Sequence, residues 1–267
     1  MTFVLQKADI QALAAALDQA WRTQTPIAPL SETDPSLDVA GAYEVQSFWS
    51  DMRVQRGDRI IGRKIGLTSE AVQKQLGVSE PDYGALWRSN FYPTSNGRVE
   101  IQASDFLQPK IEGEVAFLIR EDLTGGQITA KDVLAATEAC AVGVEIVDSR
   151  IADWRIKLVD TIADNASFGG FVLGPWDKAL PAQDLAALTM QIHRNGELAG
   201  EGIGSAALGN PATATAWLAN KLHQFGVTLG AGDIVISGAI SKMLPIGAGD
   251  EFVFSLSGQP DLTVSFI

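Results

Sequence analysis

The sequence predicts an α+β fold, a β-rich domain of mixed, rolled sheets behind an N-terminal helical cap. Three observations predict it. Two long amphipathic stretches open the chain within its first 57 residues. From residue 58 onward the apolar residues fall mostly in runs of strand length, bounded by Gly, Pro, Asn and Asp. Later helical stretches do not alternate regularly with those runs, which disfavours a doubly wound parallel sheet. The expected division is therefore a helical cap over 1–57 and a main domain over 58–267, with no long linker.

Residues 8–21 place Ile10, Leu13, Leu17 and Trp21 on one helical stripe. A Pro- and Ser-bearing loop, TQTPIAPLSETDPSLD, separates it from a second helix at about 40–56, with Val45, Trp49 and Met52 inward and Gly57 as the stop. RIIGRKIGL and KIEGEVAFLIR read as strands, and Asp122–Gly126 as a turn. Thr129 and Asp132 open a short helix running to about Glu138. ACAVGVEIVDS and GGFVLG are further strands, and Asn195-Gly196 is the strongest hairpin signal in the chain. Asn210-Pro211 supplies an N-cap and first-turn proline for a helix ending near Gly226. DIVISGA, EFVFSL and LTVSFI complete the strands. GAGDIVISG at 230–238 echoes GAGDEFVFS at 247–255, each a Gly-Asp turn feeding a strand; two copies are too few for a solenoid.

Composition narrows the class of function. The 267 residues are 46% hydrophobic and 19% charged, which suits a globular chain with a sizeable core. The net charge of −12 argues against nucleic acid or an anionic membrane as partner, since both are attracted by excess Lys and Arg. An anionic substrate would need local positive charge, from a bound cation or a buried lysine. Cys140 is the only cysteine and sits in an apolar run, so it reads as a buried thiol and no intrachain disulfide is possible. MTFVLQKADIQ lacks a signal-peptide pattern, and no apolar run reaches membrane-spanning length. A cytoplasmic protein is expected.

The segment Lys110-Ile111-Glu112-Gly113-Glu114-Val115 carries the clearest chemistry. On a strand Glu112 and Glu114 point the same way, roughly 7 Å apart. Two such carboxylates can share a hard divalent cation, although Glu-x-Glu alone equally describes an ordinary strand with a wet polar face. Glu145 lies in AVGVEIVDS, a run too apolar for a solvent-facing strand. A buried carboxylate needs a cation or hydrogen-bond donors. Three carboxylates without histidine suit Mg²⁺ or Mn²⁺ rather than Zn²⁺; an internal arginine or backbone amides would satisfy Glu145 as well. Lys64 shares a strand face with Gly62 and Gly66, and glycines there allow close approach. A partly buried lysine can have a lowered pKa and move protons; an edge-strand surface lysine is the plain alternative. Pro81-Asp82-Tyr83-Gly84 reads as a turn, with Asp82 as turn former or as acid or base over a site. Asp160–Ser167 is small and polar, a binding loop or an Asx-rich turn. His193 and His223, the only histidines, read as structural or surface groups. There is no Walker A loop, no GxGxxG after a strand, no HExxH and no nucleophile elbow.

Taken in order, GRKIGLTSEAVQKQLGVSEPDYGAL (62–86), QPKIEGEVAF (108–117), VGVEIVDSRIADW (142–154), VDTIADNASFGGFVLG (159–174) and NPATATAWLANKL (210–222) resemble the hydratase/decarboxylase branch of the fumarylacetoacetate hydrolase superfamily. Within it they are most similar to the 2-keto-4-pentenoate (2-hydroxypenta-2,4-dienoate) hydratases of aromatic meta-cleavage pathways. The resemblance implies a fold like the C-terminal domain of that superfamily, making 58–267 the metal-binding catalytic domain. It implies Mg²⁺ or Mn²⁺ held by Glu112, Glu114 and Glu145, with catalytic roles for Lys64 and Asp82. Ser167 and Arg63 are candidates for contact with an anionic 2-oxo or 2-hydroxy-dienoate. Homo-oligomers, pentamers or decamers among them, are implied too, as is association with a downstream aldolase or a sister decarboxylase. Where the family commonly has a histidine before the helix-opening proline, this chain has Asn210, which preserves the cap but not a proton-transfer role. The match at Gly238–Pro245 is looser, and this segment is a candidate for side-chain specificity.

The implied reaction turns a 2-hydroxy-2,4-dienoate into its α,β-unsaturated 2-keto tautomer and adds water at C4, giving a 4-hydroxy-2-oxo acid. A 2-oxo-3-hexenedioate (4-oxalocrotonate) decarboxylase, an acylpyruvate-type C–C hydrolase and a non-catalytic partner in a hydratase–decarboxylase complex are the competing readings.

Overall fold

The computed structural model describes residues 6–69, 73, 78 and 80–267. Residues 1–5, on which the N-terminal reading partly rests, and most of 70–79, inside the 62–86 motif, lie outside the described residues. Helices α1 (Lys7–Thr23) and α3 (Val39–Gln55) flank a short α2 (Leu30–Thr33). The α1 stripe buries Ile10, Ala14 and Leu17, with Leu13 and Trp21 partly covered beside it. It stops where Gln24 turns left-handed at φ 49°. The first turn of α3 is capped by Asp38, which accepts the Gly41 N–H at 2.8 Å. Val45 and Trp49 are fully buried, and the Trp49 indole donates to Asp18, which also pairs with Arg56 to bind the two helices together.

Thirteen strands follow among the described residues: β1 Ile60–Gly66, β2 Asp82–Trp87, β3 Phe91–Tyr92, β4 Arg98–Ile101, β5 Lys110–Ile119, β6 Thr137–Val147, β7 Phe168–Leu173, β8 Thr189–Arg194, β9 Glu197–Ile203, β10 Ile234–Ile236, β11 Leu244–Pro245, β12 Glu251–Leu256 and β13 Leu262–Phe266. They form two mixed sheets. The larger runs β2-β1-β10-β5-β6-β7-β3, with β11 also on β5; the smaller runs β4-β13-β12-β8-β9. β1 with β10, β3 with β7 and β4 with β13 are parallel, and the other pairings are antiparallel. β8 and β9 meet at Asn195-Gly196, both at positive φ as a tight hairpin requires. The two GAGD turns are built alike: Asp233 accepts the Gly230 N–H at 2.8 Å and Asp250 accepts the Gly247 N–H at 2.7 Å. One feeds the larger sheet through β10, the other the smaller sheet through β12.

Two local expectations need correction. Asp82 is not in a turn but opens β2, because β1 pairs with that segment along its length, Gly66 opposite Asp82 and Ile65 opposite Tyr83. The helix opened by Thr129 ends at Ala136 rather than near Glu138. The Thr137 hydroxyl takes up the Val133 carbonyl at 2.7 Å, and the chain turns extended there to begin β6. The helix Pro211–Gln224 is capped as expected, with Asn210 accepting the Ala212 N–H at 2.8 Å. Cys140 is fully buried. Among the described residues no helix is long and apolar enough to cross a membrane.

The helical cap rests on the sheet through one continuous apolar core. Its polar anchors reach the two elements that matter below. The buried Gln46 amide donates to the Tyr83 carbonyl on β2 and to the Ile162 carbonyl of the helix Leu158–Ala163, both at 2.8 Å.

Candidate metal centre

Strand register builds the site. Period-2 alternation puts Glu112 and Glu114 on one face of β5. β6 lies antiparallel beside it with Glu145 directly opposite Glu112, so all three carboxylates face the same side. One oxygen from each lies within 4.8 Å of the others. Like charges paired across strands are unfavourable, and these are also out of water: Glu114 and Glu145 are fully buried. Their hydrogen bonding is incomplete. Glu114 Oε2 accepts the Gly238 N–H at 2.6 Å, but Glu114 Oε1 and Glu145 Oε2 have no hydrogen-bond donor among the described residues, and Glu145 Oε1 meets only the Lys64 ammonium. Position 238 is a glycine by necessity, since its φ is +94° and a Cβ would lie 2.4 Å from Thr68 Cγ2.

The charge balance of this cluster follows from burial. Desolvation, then Glu145 beside it, pushes the Glu112 carboxyl up to about 8. Glu114 and Glu145 are raised as well, burial leading in both cases. Lys64 reaches the same face because β1 pairs Lys64 with Ile236 and β10 pairs Ile236 with Ala116. Its ammonium lies 3.1 Å from Glu145 Oε1 and donates to the Ala166 carbonyl at 3.1 Å. Burial alone would lower the Lys64 pKa, but Glu145, Asp82, Glu112 and Glu114 together outweigh it and raise it. With the four carboxylates unneutralised, the balance therefore runs opposite to the lowered pKa expected of a lysine beside a metal.

Asp82 enters from β2, opposite Gly66. A Cβ at position 66 would sit 2.2 Å from Asp82 Oδ1 and 3.2 Å from Lys64 Nζ, so the glycine makes room for the pair. Asp82 is 1% exposed, its Oδ1 lacks a donor among the described residues, and its Oδ2 takes the Thr161 hydroxyl at 3.4 Å. Burial raises its pKa, opposed by Lys64 and Thr161. Ser167 joins the edge of this group, its Oγ 3.3 Å from Thr161 Oγ and 3.4 Å from Asp164. Arg63 does not join it. The alternation that turns Lys64 inward turns Arg63 to the other face of β1, where its guanidinium donates to its neighbour's Gly62 carbonyl and faces Asp233 and Tyr83. The expectation of substrate contact by Arg63 is corrected on that ground.

Sequence reasoning passed over the support behind these residues. Asn165, Ala166 and Ser167 have φ of 54°, 52° and 52°, three successive left-handed residues without glycine. Such a conformation costs about 1–2 kcal/mol per residue, less for asparagine, and persists where surroundings impose it. The Asn165 side chain exchanges hydrogen bonds with Ala85 N–H and C=O on β2, at 2.7 and 2.9 Å. Arg150, 1% exposed, donates to Asp164 Oδ1, the Asp164 carbonyl, the Asp148 carbonyl and the Phe168 carbonyl. The one available signal was the small polar run from Asp160 to Ser167.

The residues fit a hard divalent cation: oxygen donors only, convergent, buried and short of partners. Residues 64–266 match the family model of the fumarylacetoacetate (FAA) hydrolase C-terminal domain. The 2-hydroxyhexa-2,4-dienoate hydratase of Comamonas testosteroni is 43% identical over 96% of this chain and 97% of that one. A 2-keto-4-pentenoate hydratase of Paraburkholderia phymatum is 42% identical over the same shares. The structure superposes on 4-oxalocrotonate decarboxylase from Pseudomonas putida G7, complexed with magnesium and adipate, with a TM-score of 0.94, 32% identity and 99% of each chain covered.

Proposed function

The chain belongs to the fumarylacetoacetate hydrolase family, and from that premise we propose that it is a hydro-lyase adding water to 2-hydroxypenta-2,4-dienoate (2-keto-4-pentenoate) or a close analogue. The observation that carries this reading is the identity above 40% to dienoate hydratases along nearly the whole chain, joined to three converging glutamates short of partners. Glu112, Glu114 and Glu145 would hold Mg²⁺ or Mn²⁺. When bound, the cation supplies Lewis-acid stabilisation of negative charge on the substrate's C2 oxygen.

The protein groups divide the remaining work. Three carboxylates against the Lys64 ammonium leave two negative charges, which one divalent cation cancels provided Asp82 keeps its proton. Asp82 is thus the proton mover: buried, raised in pKa, with one oxygen free to reach substrate. It hands a proton to the dienol carbon C5 while the C2 hydroxyl gives up its own proton to solvent; in the second half it draws a proton from the water that attacks C4, and C3 takes a proton from solvent as the C2 ketone re-forms. Lys64 stays charged and holds Glu145 and the Ala166 carbonyl in place. Ser167, beside Thr161, offers a hydroxyl to the substrate carboxylate.

The test is loss of dienoate absorbance by the purified protein with Mg²⁺ or Mn²⁺, and identification of a 4-hydroxy-2-oxo acid. A decarboxylase is the second reading, favoured by the superposition on 4-oxalocrotonate decarboxylase; release of CO₂ would establish it instead. Homo-oligomeric assembly is proposed with the function and is read by light scattering.

A further inference from the structure

Behind the Lys64–Asp82 pair the chain keeps a second buried ionic group. Every donor direction of Arg150 ends on the turn 164–168 or on the β6 end beside it. Nε reaches Asp164 Oδ1 and Nη2 reaches the Asp164 carbonyl, both at 2.5 Å; Nη1 reaches the Phe168 carbonyl at 2.8 Å and the Asp148 carbonyl at 2.5 Å. Asp164 Oδ2 is taken by Ser149 Oγ at 3.0 Å and by the Arg150 N–H at 3.1 Å. One guanidinium thus grips both ends of the left-handed run Asn165-Ala166-Ser167. That run makes the two contacts by which the turn meets the site: Ala166 C=O to Lys64 Nζ, and Ser167 Oγ to Thr161, which touches Asp82.

We propose that Arg150 is a positioning residue for the reaction: it holds a strained turn in the one shape that presents the Ala166 carbonyl to Lys64 and so fixes the ammonium in the site it shares with Glu145 and Asp82. This rests on the roles given to Lys64 and Asp82 under the proposed function. Arginine is suited to the task because its planar fork fixes several acceptors at once, which a lysine ammonium in the same space does not. Neither Arg150 nor Asp164 hydrogen-bonds to any of the three glutamates, so the clamp reaches the cation site only through Lys64.

The test is Arg150→Lys in the full-length protein loaded with Mn²⁺. Displacement of a reacting group by about 1 Å costs on the order of 10²-fold, so kcat should fall by about that factor. KM and the Mn²⁺ affinity from calorimetry should stay within about twofold, because β5 and β6 are untouched. Adding Ala166→Gly should restore part of the lost kcat, since glycine takes the left-handed turn without needing to be held. Retained kcat in the folded variant, or Mn²⁺ affinity falling in step with kcat, overturns the proposal. Should Arg150→Lys fold poorly, Ser149→Ala, which removes only one support of Asp164, carries the test: a smaller drop in kcat with unchanged Mn²⁺ affinity supports the clamp, and unchanged kcat refutes it. The crystal structure of the variant separates this from failure of the proposed function. Wild type inactive on every dienoate sinks the function; an Ala166 carbonyl still within hydrogen-bond distance of Lys64 in the variant sinks the clamp.

Discussion

Two clusters of buried charge lie side by side in this molecule, and they are satisfied very differently. Around Arg150 and Asp164 every nitrogen of the guanidinium and both carboxylate oxygens have a partner, the pair itself being completed by backbone carbonyls, an N–H and the Ser149 hydroxyl. Around Glu112, Glu114, Glu145 and Asp82 the oxygens crowd together: Glu114 Oε1, Glu145 Oε2 and Asp82 Oδ1 find no partner among the described residues, and Glu145 Oε1 meets only the Lys64 ammonium. A buried polar atom without a partner costs about 1–3 kcal/mol, more when charged, so a chain that completes one cluster and leaves the other open is holding the second for something that arrives. Completeness marks the clamp, and incompleteness marks the chemistry.

Substitutions sharpen the contrast because the two clusters should respond with opposite sign. Glu114→Ala is expected to remove metal dependence and lower kcat by on the order of 10³-fold, while the metal-free protein melts no lower than wild type. Full activity in that variant would break the comparison. Asp82→Asn should cost ~10²–10⁴-fold in kcat with divalent-cation binding intact, read by steady-state kinetics and calorimetry together. Asp164→Ala should cost about 3–5 kcal/mol of folding stability, since it strands Arg150 as an uncompensated buried charge; a denaturant curve that hardly moves would show the pair to be dispensable.

The pH dependence follows with its sign. Glu112 titrates at about 8 in the folded chain against an ordinary 4.5, so between those values the folded state holds a proton that the unfolded state has lost. The contribution of Glu112 to the stability of the metal-free protein is therefore full below about pH 4.5 and falls as pH rises through about 8. Mg²⁺ should reverse the fall, and its affinity should weaken as pH drops below about 8, because protons compete for the same oxygens. Melting temperatures across that window with and without Mg²⁺ check both, and a flat metal-free profile would contradict the burial argument. The smallest effect lies outside both clusters: Asn210→Ala should cost about 0.5–2 kcal/mol through its lost cap and leave metal affinity unchanged.

What could be read from the sequence was what depends on short range. Alternation along one strand placed Glu112 with Glu114 and Lys64 with its glycines. The Asn210 cap and the Asn195-Gly196 hairpin follow from local backbone chemistry. Pairing between distant strands was not legible. That Glu145 stands opposite Glu112 is a matter of register between β5 and β6, and that Asp82 lies on a strand depends on β1 reaching it. Pro-Asp-Tyr-Gly has turn composition, and the neighbouring strand overrides it. Arg63 shows alternation neglected, since the rule that brings Lys64 in sends its neighbour out. Arg150 gave no signal, because its value lies wholly in carbonyls that the fold gathers around it.

Gly66 leaves a practical constraint for anyone wishing to widen the substrate range. A methyl group there would overlap Asp82 Oδ1, so even alanine would have to push the acid off its mark. Engineering by saturation at that wall is closed, and new specificity has to be sought elsewhere, as in the segment 238–245, which enters the site where the Gly238 N–H meets Glu114.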